Sequence, residues 1–124
     1  MVNEISNEFT IISENEEQLQ DIYNKYFNQR PIDLCKIKWM NETLIRAWVY
    51  STNHPLIDLQ QKILQDYNQV WVKNEWSCET GRCGICIGGY KSKKYFPYKV
   101  FEYDDLSIEE RSMYFNVSKR QKMY

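Results

Sequence analysis

The chain has 124 residues, of which 43% are apolar and 15% aromatic, and 16 Lys and Arg face 17 Asp and Glu. That length fits one domain with a real core and is too short for two ordinary ones. The near balance of charge excludes a whole-molecule attraction to phosphate backbones or anionic membranes, so any polyanion site must be a local patch.

In the first segment Ile5, Phe9 and Ile11 fall on one face at a period of two, which predicts a strand over 5–12. Ser13 and Glu16 have the spacing of a capping box. Leu19, Ile22, Tyr23, Tyr26 and Phe27 then mark an amphipathic helix that Arg30-Pro31 ends. Cys35, Ile37 and Trp39 alternate with Lys36 and Lys38, predicting a second strand with one wet face. A tight turn at 41–43 leads into a third strand over 44–50. The capping residues of 51–55, with Pro55 where a first helical turn tolerates it, introduce a second helix carried by Leu56, Leu59, Ile63 and Tyr67. Val70, Val72 and Trp76 predict a fourth strand.

Strand–helix–strand–strand–helix–strand is the ferredoxin-like order, so the expected fold is α+β: an antiparallel βαββαβ sheet with two helices on one face. The rest predicts a C-terminal hairpin arm over about 84–90, an aromatic stretch over 95–103, and a short helix opened by a second capping box at Ser107 and Glu110. The tail over 118–122 is basic and expected to fray. No repeat or linker divides the chain. Residues 1–124 therefore read as one domain, with a core over about 5–77 and an arm and extension over about 78–124.

Several stretches resemble the ferredoxin-like domain of small accessory proteins carried by phages and plasmids, the Api type among them. They are Asn7-Glu8-Phe9-Thr10-Ile11 leading into Glu16-Glu17-Gln18-Leu19, Ala47-Trp48-Val49-Tyr50-Ser51 leading through Pro55, and Glu75-Trp76-Ser77 with Glu79-Thr80-Gly81 and Cys83-Gly84. These are fold markers covering about 5–90, and members of that family have a longer middle section. The resemblance implies a mobile-element protein without established chemistry. By analogy it implies an inhibitor of a host protein or ribonucleoprotein such as a Cas effector, that is, an anti-CRISPR protein.

The sharpest chemical feature is Cys78-x4-Cys83-x2-Cys86. No apolar run reaches the roughly 18 residues of a membrane span, and Met1-Val2-Asn3-Glu4 lacks the form of a signal peptide. The expected setting is the host cytoplasm, where thiols stay reduced and no membrane is engaged. Four readings remain open. The thiols are ordinary packing. Alternatively they hold a structural zinc, with Gly81 allowing the turn that would gather them and Cys35, His54 or Glu79 as candidate fourth ligand. The spacing also resembles the plant-type [2Fe–2S] loop, but no fourth Cys follows Cys86. Redox chemistry at Cys83 and Cys86 is disfavoured because Ile87-Gly88-Gly89 does not start a helix.

Catalytic signatures are absent: one His, no nucleophile elbow, no phosphate-binding glycine loop. Asp104-Asp105 and Glu109-Glu110 read as helix N-terminal charge. The expected function is therefore non-enzymatic binding of a host macromolecule by a monomer or homodimer. The predicted partner surface is the arm with Arg82, Lys91, Lys93, Lys94, Tyr95 and Tyr98. The alternative is a nucleic-acid-binding protein in which those lysines track a backbone and the aromatic rings stack bases. An iron–sulfur electron carrier is the weaker third reading.

Overall fold

The computed structural model describes residues 4–29, 35–91 and 93–114. Six strands form one sheet: β1 (Glu4–Ser13), β2 (Cys35–Asn41), β3 (Leu44–Thr52), β4 (Val70–Cys78), β5 (Cys83–Lys91) and β6 (Lys94–Glu102). Three helices are described: α1 (Glu16–Ile22), α2 (Ile57–Asp66) and α3 (Ile108–Tyr114). The strand order is β2-β3-β1-β4-β5-β6, and every neighbouring pair is antiparallel. The protein is α+β with a six-stranded antiparallel sheet.

The core lies between this sheet and the first two helices. Phe9 and Ile11 of β1, Ile45, Ala47 and Val49 of β3, and Val70 and Val72 of β4 bury against Leu19, Ile22 and Phe27 from the first helix and Ile63 from α2. The rings of Phe9 and Phe27 meet edge to face at 5.8 Å. Period two along each strand sends these residues to one face and their neighbours to the other.

Helix α1 starts later than the capping box predicts. Asn15 is the cap, its Oδ1 accepting from the backbone N–H groups of Glu17 and Gln18, while the Ser13 hydroxyl closes a small turn on Asn15. Past Ile22 the helix widens by one residue per turn over Tyr23–Phe27, and the Asn28 N–H reaches the Tyr23 carbonyl at 2.8 Å. The helix stop at Arg30-Pro31 and the basic tail lie outside the described residues. At α2 a buried side chain of the sheet does the capping: Asn7 Oδ1 accepts from the Leu56 N–H at 3.0 Å. The second capping box forms as expected, with Glu110 N–H donating to Ser107 Oγ and Ser107 N–H to Glu110 Oε1.

The predicted arm is corrected. Residues 84–90 belong to β5, which pairs with β4 on one side and β6 on the other, and the aromatic stretch is largely β6. Glycines make this extension close-packed. A Cβ at Gly84 would stand 2.4 Å from the Trp76 ring, and one at Gly88 would stand 2.8 Å from the Tyr98 Cα.

The two helices do not cover the other face of the sheet. Among the described residues the chain after β6 returns to it, burying Leu106 against Ile85 with Phe101 and Tyr103 alongside and bringing Met113 of α3 to its border. Being free of α1 and α2, it is called the helix-free face. No described helix is long and apolar enough to cross a membrane.

Candidate nucleic-acid interface

The cysteines are not gathered. In β5, Cys83 and Cys86 are three residues apart, an odd spacing that sends them to opposite faces. Cys86 is buried under the helices with Ile5 and Trp76, while Cys83 points to the face bearing Ile85. Cys78 shares the Cys86 face, but Cys86 pairs with Asn74, four residues up β4 and roughly 13 Å along the strand. Cys35 sits in edge strand β2, three strand spacings or about 14 Å from β4. His54 is exposed between β3 and α2, and Glu79 Oε1 accepts from the Glu4 N–H at 3.1 Å. Among the described residues no three His, Cys, Asp or Glu side chains come together as a metal would require, and no disulfide joins the cysteines.

The four thiols differ chemically. Thr80 Oγ1 lies 3.2 Å from Cys78 Sγ and, with the Thr80 backbone, pulls that thiol below its ordinary pKa. Burial pushes Cys86 up to about 11, moderated by Tyr98 and Trp76 beside it. The Tyr98 hydroxyl and Trp76 Nε1 are themselves buried without an ordinary hydrogen bond, and burial drives the Tyr98 phenol upward too.

The predicted partner surface is also split by the period of the strand. Lys91 and Lys94 pair across β5 and β6 on the helix-free face. Tyr95 and Tyr98 turn to the helix side, where they border a separate groove of about 460 Å³ with Tyr67, Gln61 and Gln65 of the α2 region. Lys93 lies just before β6, in the turn at φ 63°. Arg82 pairs with Glu102 at the other end of β5, about 26 Å away.

What the sheet does assemble is the helix-free face, and strand register lays it out in rows. One row crosses all six strands: Lys38, Arg46, Thr10, Lys73, Ile87 and Lys99 stand directly opposite one another in turn. The next row toward the Lys91 end is apolar: Leu44, Ile12, Trp71, Gly89 and Phe96. On the other side run Lys36, Trp48, Glu8, Glu75, Ile85 and Phe101. The two acids at the centre of that row are almost completely buried, and each has a basic neighbour: Arg46 bonds Glu8, and Lys73 stands 4.0 Å from Glu75. Arg46 also lies over the Trp48 ring at 5.4 Å, and Lys91 over Trp71 at 4.6 Å.

Lys36, Lys38, Arg46, Lys73 and Trp71 carry this face and were not singled out from the sequence as partner residues. Their signal was the alternation itself, polar residues interleaved with Ile37, Ala47 and Val72. Summing that alternation across strands needs the register, which local pattern does not contain. Compared with known proteins, the chain matches no family model, no curated protein and no solved structure.

Proposed function

We propose that the protein works by binding rather than by catalysis, and that its helix-free sheet face takes a single-stranded nucleic acid. The observation that carries this reading is the cation row from Lys38 to Lys99 lying beside the apolar row that contains Trp71 and Phe96. With strands about 4.8 Å apart, the cation row runs about 24 Å across the sheet, and the two rows are about 7 Å apart. Cations tracking a backbone next to rings that accept bases is how strands are held without base-pair readout. The near-zero net charge is no obstacle, since Lys36, Lys38, Arg46, Lys73, Lys91, Lys94 and Lys99 share this face with the two buried acids Glu8 and Glu75, while Glu16, Glu17, Asp58 and Asp66 belong to the helices.

The β2-β3-β1-β4 order, with α1 and α2 packed on a common face, supports treating this part of the chain as a ferredoxin-like unit and β5–β6 as its extension. Such a unit leaves one sheet face open, and the extension widens it. The reading as a phage or plasmid inhibitor of a host macromolecule, a Cas effector among them, rests on the sequence resemblance alone. A nucleoprotein partner would be met through its exposed RNA on the same face.

The test is fluorescence anisotropy with labelled single-stranded DNA and RNA oligonucleotides over a salt series. Binding should weaken steeply with salt, and Lys99→Ala should reduce the slope of log affinity against log salt by about one. No binding of either strand at low salt defeats the reading.

A further inference from the structure

We propose that the hollow beside Trp71 is a seat for one nucleotide, so that a bound strand is anchored at a single base rather than held uniformly. This rests on reading the helix-free face as a nucleic-acid surface and goes further by naming where and how one residue of the strand is gripped.

The hollow has a volume of about 410 Å³ and opens on β4, β5 and β6. That is within the range of pockets that hold small ligands, roughly 300–1,000 Å³. Its apolar walls come from Trp71, Ile85, Ile87, Phe96 and Pro97 of the sheet and from Met113 of α3. Its charged lining is Lys73, Lys91 and Lys99, with no carboxylate among the lining residues. An apolar ligand would desolvate Lys91 and Lys99 with no carboxylate in the lining to offset them, and a simple inorganic anion would leave the rings unused. A flat aromatic group carrying a phosphate satisfies both parts.

Geometry favours a base over other flat anions' aromatic parts only through the strand already argued, but it explains the opening. Trp71 and Phe96 occupy one row with Gly89 between them. The intervening position has no side chain, so the gap between the two rings, about two strand spacings or 10 Å, is not filled from β5. Lys91 stands over the Trp71 ring at 4.6 Å and Lys94 over Phe96 at 5.4 Å. Each ammonium thus rests over a ring face, and a base that stacks there displaces it onto the phosphate the base carries.

Adenosine 5′-monophosphate, adenosine and inorganic phosphate should be titrated into the full chain while backbone amide shifts are followed by NMR. The nucleotide should move amides at 71, 87, 89, 91, 96 and 99, with phosphate or adenosine alone giving at least about tenfold weaker binding. Lys91→Ala and Phe96→Ala should each weaken it about tenfold, within the range for loss of one stacking contact. Lys36→Ala, at the far edge strand, should leave nucleotide binding unchanged while weakening an oligonucleotide. Shifts spread evenly over all the lysines, or none, overturn the seat. If oligonucleotides bind and the nucleotide does not, the seat fails while the face stands. If only the nucleotide binds, the seat stands and the strand-binding function fails. If neither binds, both fall.

Discussion

The two faces of this sheet are built from the same strands by the same alternation, yet they differ in what their polar residues do. On the helix side the polar side chains are neutral amides that complete the fold. Asn7 is fully buried and bonds the Val49 carbonyl, the Ser51 hydroxyl, the Leu56 N–H and the Asn74 amide. Gln60, equally buried, reaches from α2 to the Val72 and Cys86 carbonyls. On the opposite side cations line up in one row, in which Arg46 and Lys73 pair with the buried acids Glu8 and Glu75, while Lys38 and Lys99 stand on the two edge strands away from those acids. A buried polar residue is costly unless its bonds are made, so the amides belong to stability. Arg46 and Lys73 share in that structural role, because a buried acid left without its cation is costly. The edge cations Lys38 and Lys99 carry no such necessity and are the ones proposed for recognition.

That contrast can be broken by substitution. The largest effect should come from Phe9→Ala on the helix side, which removes the ring facing Phe27 and should cost about 3–5 kcal/mol in urea unfolding. Preserved stability would mean the core is not centred there. A smaller effect is expected from pH. Cys86 has its folded pKa raised by burial to about 11, so its neutral thiol contributes fully below the unfolded value of about 9. That contribution, about 3 kcal/mol, should be lost as pH climbs from about 9 to about 11. The alkaline loss measured by urea midpoints should shrink in Cys86→Ala. Thiol reagents should meanwhile modify Cys78 well before Cys86, since only the thiolate reacts. The smallest effect on stability should come from Lys38→Ala on the other face, within about 0.5 kcal/mol. A substantial loss of stability there would make the cation row structural and end the contrast.

Much of the fold was legible in the sequence because apolar period tracks burial: Ile5, Phe9 and Ile11, then Ile37, then Val70, Val72 and Trp76 were all assigned to their strands. The α1 cap was misplaced by two residues because Ser13 and Asn15 are both competent caps, and chain geometry chose Asn15. The extension was read as a separate hairpin arm because nothing in its local pattern shows that it pairs with β4. In the sheet, Gly84 and Gly88 are where the Trp76 ring and β6 approach too closely for any side chain. The cysteine cluster misled for a related reason. Spacing along the sequence suggests convergence only in a turn, and two of its three members lie in a strand that separates them. The candidate interface was legible only in fragments, each strand showing one or two of its residues.

The fit of Trp76 over Gly84 has a consequence for how this protein can diverge. A Cβ at position 84 would stand 2.4 Å from the indole and 2.5 Å from the Phe101 carbonyl, and the second of these is backbone. Shrinking the residue at 76 therefore does not open position 84. Lineages that keep this sheet should carry glycine at 84 whatever stands at 76, while 76 is free to change size beside it.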